Sequence, residues 1–274
     1  MNESNINYRT TILFAIDGMR PDGLRQADTP NIDRCMKRSA HTYTGTTVMP
    51  SATLTCMTSM FRGVGTERHG ITTNTWVPQV RPVPSIIDVA HRQGKRTASF
   101  YNWEQLRDLS DPGSLDRAGF MGNCQDPTGD LELAEVATTH LTQDGENGFV
   151  FVYLGYTDIA GHNYGWMTDP YLEAIQTADR AIGKVLSVLD DSETAMIITA
   201  DHGGHEQTHG TDSDEDMTIP WIMYAPGIVE PCSIPQPVSI IDTAPTLADL
   251  LGVKPAEEWT GKSVLPLVST AHTP

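Results

Sequence analysis

Cysteine is scarce in this 274-residue chain, and the four present (Cys35, Cys56, Cys124 and Cys232) lie far apart without CxxC spacing. That argues against a disulfide scaffold and against a zinc knot built from thiolates. Long apolar runs are missing as well: none approaches the ~20 residues that a membrane-crossing helix needs. Basic residues are outnumbered, 18 Lys and Arg against 35 Asp and Glu, leaving a formal net charge of -17. Such a surface disfavours a nucleic-acid polymer or an anionic membrane as partner, because phosphate backbones are held by basic clusters. An anionic small molecule is not excluded, since metal ions reverse the potential inside a site whose own ligands are acidic. The opening MNESNINYRT has neither the basic nor the apolar stretch of a signal peptide, so a cytoplasmic location is expected. No GxSxG is present, which argues against a metal-free α/β hydrolase.

What remains is a globular composition, 39% hydrophobic and 19% charged, too apolar for global disorder. Three short apolar runs stand out: TILFAI (11–16), FVFVYLG (149–155) and AMIITA (195–200). Runs of this length fit strands covered on both faces, as in a parallel sheet. A further strand is expected at 218–226. Helices are expected at 30–39, 53–61, 84–93, 129–142 and 170–189. In the last, Leu172, Ile175, Ala178, Ile182 and Val185 recur every three or four residues and define one buried face. IDTAPTLADLLG (241–252) reads as a helix starting near Asp242 or Thr243 and stopped by Gly252. Strand alternating with helix predicts an α/β fold with a mostly parallel sheet. The chain is expected to form one domain over 1–274, with 101–148 as a loop-rich insert near the site.

Each apolar run is followed by an aspartate: Asp17, Asp158 and Asp201. Open α/β sheets place ligands at the carboxyl ends of their strands. Asp158 and His162, four apart in TDIAGH, share one face if a helical turn follows the strand. Asp201 and His202 are adjacent in ADHGGHEQTHG, where Gly203 and Gly204 permit a tight turn. His205 and His209 form a second pair four apart. Carboxylate oxygen and imidazole nitrogen suit zinc, and also manganese or iron. Pro50-Ser51-Ala52-Thr53 reads as a turn entering a helix, whose first N–H groups favour an anion. A hydroxyl there can act as nucleophile, though spacing alone leaves Thr53, Ser51 and Thr55 as alternatives.

These pieces occur in a recognisable order: AIDGMRPD, PSAT followed by RG and RHGI, YTDIAGHNYG, ADHGGHEQTHGTDSDEDMTIPWI and IDTAPTLADLLGV. The set, from about residue 11 to 254, resembles the alkaline phosphatase superfamily, and within it the type I phosphodiesterase and nucleotide pyrophosphatase branch. The resemblance implies an α/β/α sandwich and two divalent metal ions, with zinc favoured. It assigns Asp17, Thr53, Asp201 and His202 to one metal, and Asp158, His162 and His209 to the other. It makes Thr53 the nucleophile, ten residues before Gly63, passing through a phosphothreonine intermediate. His205, Cys56 and Asn74 are the substrate-facing candidates; Cys56 stands three residues after the nucleophile, where the resemblance expects an asparagine. His69 is expected to support the loop, and Thr157, Asn163 and Asp212 to back the ligands.

The implied activity is hydrolysis of phosphate diesters or nucleotide pyrophosphate-type bonds in a small phosphorus-containing ester. Its alternatives are a phosphomonoesterase, a phosphonoacetate-type phosphonate hydrolase, and an inactive metal-stabilised binding protein. Homo-oligomerisation is left open.

Overall fold

An apolar strand with no polar face is stable only where both faces are covered, and this fixes the centre of the molecule. The computed structural model describes residues 8–143, 148–228 and 230–265. The polar opening through residue 7 and positions 144–147 of the expected insert lie outside the described residues. The strands are β1 (Thr10–Ile16), β2 (Ser39–Thr46), β3 (Thr97–Tyr101), β4 (Arg117–Phe120), β5 (Gly148–Leu154), β6 (Thr194–Thr199), β7 (Thr218–Tyr224) and β8 (Cys232–Ser233). They form one sheet in the order β4-β3-β5-β1-β6-β7-β2-β8. From β4 to β6 the pairing is parallel; β7 is antiparallel to both β6 and β2. Every residue of β1 is buried.

The helices are α1 (Pro21–Gln26), α2 (Pro30–Met36), α3 (Thr53–Arg62), α4 (Thr66–His69), α5 (Ile86–Arg92), α6 (Gly129–Gln143), α7 (Tyr156–Tyr164), α8 (Asp169–Leu186), α9 (Asp214–Met217) and α10 (Thr243–Leu251). Helices α1, α2, α6 and α7 gather around α8 on one face, while α3, α5 and α10 pack together on the other. The result is the expected α/β/α sandwich. The face of α8 predicted from its periodicity is the buried one, and α10 ends at Gly252 in the left-handed conformation, φ 65°. Segment 101–148 carries a 3-10 turn (Glu104–Leu109), edge strand β4 and the 15-residue α6 packed on α8. Its Asp, Gly and Pro residues mark the joints between these short elements.

Two antiparallel pairings decide what meets at the site. Because β7 runs back along β6, the connection 200–217 leaves and re-enters the sheet at the carboxyl end of β6. Because β2 is antiparallel to β7, it runs in the same direction as β6 and β1. Its end at Thr46 therefore delivers the 47–52 turn, and with it the start of α3, to that same edge.

Candidate metal centre and nucleophile

Strands β5, β1 and β6 are neighbours, with Leu154 opposite Ile16 and Ala15 opposite Thr199. Two residues further along, this register sets Asp17 beside Asp201. Asp158 arrives in the first turn of α7, directly after β5. Between them Gly18 has φ 67°, and a Cβ there would come within 3.2 Å of the Asp158 carboxylate. Glycine is needed for the conformation and for the close approach. Its N–H donates to Asp201 Oδ1 at 3.2 Å.

The imidazoles close the site from the 200–217 connection. His202 Nε2 lies 3.3 Å from Asp17 Oδ1 and 3.6 Å from Asp201 Oδ2. His209 Nε2 is 3.6 Å from Asp158 Oδ1, and its ring stacks on His202 at a centroid distance of 4.0 Å. His162 Nε2 is 3.5 Å from Asp158 Oδ2. In all three rings Nδ1 faces a backbone carbonyl: Gly203 O at 2.7 Å, Ser51 O at 2.7 Å and Gln207 O at 2.9 Å, respectively. A carbonyl only accepts, so Nδ1 of each ring donates and Nε2 is the atom turned toward the carboxylates, the arrangement that metal-binding histidines take.

Two donor groups result. Asp17, Asp201 and His202 bring ligand atoms within 4.8 Å of one another, and so do Asp158, His202 and His209. His202 is thus common to both, while His162 stands at the outer edge of the second, its side chain 39% exposed. Three carboxylate oxygens in the centre, Asp17 Oδ1, Asp158 Oδ1 and Asp201 Oδ2, are buried without a hydrogen-bond donor among the described residues. Buried carboxylate oxygens turned toward imidazole Nε2 atoms fit divalent cations, with a nitrogen and oxygen set open to zinc, manganese or iron.

The electrostatics agree. Burial, and then the charge of Asp17, push Asp158 up to about 7. Asp201 is raised well above the carboxylate range for the same two reasons. Burial works against the charge on Asp17 too, but the close approach and charge of His202, with the Tyr153 hydroxyl, outweigh it and hold Asp17 low. His202, despite burial, is raised well above its ordinary value by Asp201 and Asp17. Burial and the neighbouring His202 depress His209 to about 4. Carboxylates crowded this closely draw positive charge into their midst.

Thr53 is the first residue of α3 and is buried; its Oγ1 lies 3.2 Å from His202 Nε2. Ser51 is turned away, its hydroxyl donating to Thr211 O. Thr55 Oγ1 is buried without a partner among the described residues. Cys56 is not on a substrate face: it is fully buried, with its thiol 3.8 Å from the Val48 and Pro50 carbonyls. An amide does approach the start of α3, but from Asn74, whose Oδ1 accepts from Leu54 N–H at 3.0 Å. His69 holds the loop between: Nδ1 accepts from Ile71 N–H at 3.0 Å, and Nε2 meets Ser59 Oγ at 2.8 Å. His205 pairs with Asp216 at 2.7 Å.

Some support for the centre escaped the reading of sequence. Asp216, not the exposed Asp212, is the buried acid that backs the far end of the 200–217 connection; it also accepts from Thr211 N and Oγ1. Tyr153 donates to Asp17 Oδ2. The only mark of Tyr153 in the sequence is a hydroxyl inside an apolar strand. Asp130 Oδ1 accepts from Gly155 N–H at 3.0 Å and Asn102 Nδ2 at 2.8 Å, fixing the turn before α7. Trp166 Nε1 donates to Gly18 O. Of the expected supports, Thr157 is fully buried, whereas Asn163 is exposed and its carbonyl accepts from Gln207 Nε2.

Fold and donor set together define an alkaline-phosphatase-like α/β/α protein with two clusters suited to divalent metals. The sequence profile of the type I phosphodiesterase / nucleotide pyrophosphatase family matches residues 11–217. The chain belongs to that family. It is 34% identical over 123 residues, 44% of its length, to the 2,3-bisphosphoglycerate-independent phosphoglycerate mutase of Staphylococcus aureus, and the match spans only 24% of that enzyme. In fold it is similar to murine ectonucleotide pyrophosphatase / phosphodiesterase 5, an inactive variant in complex with AMP. There the TM-score is 0.76 and the identity 14%, covering 91% of this chain and 96% of that one. The phosphonate monoester hydrolase of Agrobacterium radiobacter gives a TM-score of 0.76 at 15% identity, covering 95% and 77%. A 2-O GAG sulfatase gives 0.77 at 15%, covering 96% and 75%. Among the described residues no helix is long and apolar enough to cross a membrane.

Proposed function

We propose that the chain hydrolyses phosphate diesters or nucleotide pyrophosphate-type bonds with Thr53 as nucleophile. The observation that carries this reading is the 3.2 Å approach of Thr53 Oγ1 to His202 Nε2, the imidazole common to both donor clusters. Asp17, Asp201, His202 and Thr53 would hold one metal ion, and Asp158, His209 and His162 the other. When bound, such a pair supplies Lewis-acid stabilisation of charge at phosphorus and favours the ionised form of an attacking oxygen. Zinc suits the donors best.

Thr53 Oγ1 forms the bond to phosphorus as the bond to the leaving oxygen breaks. Water then hydrolyses the phosphothreonine and restores the hydroxyl. The start of α3 presents backbone N–H groups to the phosphoryl oxygens. Asn74, with Oδ1 committed to Leu54 N–H, has its amide NH2 to donate to one of them. Threonine cannot become the formylglycine that sulfatases use, so the sulfatase likeness is one of fold. The AMP held by the murine relative supports a nucleotide-type diester as the substrate class.

A phosphomonoester is the second reading, favoured by the higher identity to the staphylococcal mutases. The test is kcat/KM for matched aryl phosphodiester and phosphomonoester substrates after reconstitution with zinc or manganese. A strong diester preference is expected; a strong monoester preference would replace the proposal with its second reading, and turnover of neither would retire both.

A further inference from the structure

Arg62 ends α3, nine residues after Thr53, so the two side chains start about 13 Å apart along the helix axis. The residue is only 2% exposed. Its Nη1 donates to Val83 O and its Nη2 to Leu109 O at 3.4 Å, while the buried Nε finds no acceptor among the described residues. Burial lowers its pKa, and the charges of Asp88 and Asp111 act in the opposite direction. Both acids are committed elsewhere. Asp88 accepts from Ser85 and from Asp111 N–H, and Asp111 pairs with Arg92 at 3.0 Å. A guanidinium held in the interior by carbonyls alone carries a desolvation cost that a true counter-charge would relieve.

This cation lines a cavity of about 450 Å³, a size typical of small-molecule sites. The Trp76 ring lies 5.4 Å from the guanidinium, and Pro78, Pro82 and Leu115 supply apolar wall. Arg107, also on the lining, is already neutralised by Glu104 at 2.6 Å and Asp108 at 3.4 Å. Asp111 also lines the cavity but is paired with Arg92, so Arg62 is the lining cation without a carboxylate at hydrogen-bond distance among the described residues.

We infer that this pocket is a second binding site, separate from the metal centre, for a small organic anion with a flat apolar body. A carboxylate, sulfonate or phosphate head meets the Arg62 guanidinium, and the body lies against Trp76 and the proline walls. Planar oxyanions match the guanidinium fork, and an aromatic face beside it favours a flat partner.

The test is a fluorescence titration of the metal-loaded full chain with anilinonaphthalene sulfonate, a flat apolar body carrying one anionic head. Saturable one-to-one binding is expected, with Kd raised about tenfold or more in Arg62→Met, as loss of a charge-assisted hydrogen bond implies. A loosened fold binds more of this dye, so lost binding cannot arise from unfolding. If Arg62→Met does loosen the fold, Trp76→Ala decides, because that half-buried ring is removed without touching the guanidinium. Weaker binding in Trp76→Ala supports the site. Absent saturable binding in the wild type, or an unchanged Kd in Trp76→Ala, overturns it.

Discussion

Acidification should weaken the hold of His69 on the loop that carries Asn74. Ile71 N–H donates to Nδ1, so the neutral ring carries its proton on Nε2 and donates it to Ser59 Oγ. A second proton would have to sit on Nδ1, against an N–H that already points there. Burial first, and then the charge of Arg62, lower the His69 pKa to about 4, against roughly 6.5 in an unfolded chain. Below about pH 6.5 the unfolded state therefore takes up a proton that the folded state refuses. The stabilisation is fully present above that pH and is lost as pH falls toward about 4. Linkage between these two values gives a loss of about 2 kcal/mol on going from about pH 7.5 to about pH 5. Urea unfolding of wild type and His69→Gln at both pH values isolates this contribution, because other groups titrate in both proteins. Glutamine is neutral throughout and keeps one acceptor and one donor. The stability advantage of wild type over the variant should shrink by about 2 kcal/mol at the lower pH. Parallel losses in the two proteins would refute the reasoning.

Three further outcomes follow from the geometry. Asn74→Ala should lower kcat about a hundredfold or more, the range for losing one donor to a developing charge, while metal content is unchanged. Loss of metal instead, measured by elemental analysis, would place Asn74 in the scaffold of the centre. Tyr153→Phe removes only the hydroxyl that donates to Asp17 Oδ2 and should weaken metal affinity about tenfold or more; a metal titration matching wild type would deny it that role. His209→Ala should reduce occupancy of one metal more than His205→Ala does, because His205 is tied to Asp216; the reverse order in the same titration would exchange their assignments.

The strand-end aspartates were legible because an apolar run buried on both faces ends where the sheet meets solvent, and a carboxylate there has few structural uses. The α8 stripe and the Gly252 stop were legible for equally local reasons. Strands β2 and β3 were not expected. SAHTYTGT in β2 is polar and only partly buried, and its place in the sheet depends on antiparallel pairing with β7, which no local pattern encodes. That pairing is also what carries Thr53 to the metal donors. The error at Cys56 has the same origin. The resemblance sets a substrate-holding asparagine three residues after Thr53, but helix α3 turns that position into the core, while a loop pinned by His69 returns Asn74 to the helix start. Asp216 was passed over for Asp212 because burial, not charge, separates them.

The most direct test of the central claim is Thr53→Ala, assayed on an aryl phosphodiester with metal content measured on the same preparation. Both metals should remain, since Asp17, Asp201 and His202 still furnish donors, while kcat falls at least about a hundredfold with the loss of the nucleophile. A metal-loaded Thr53→Ala protein that turns over at close to the wild-type rate would contradict the account.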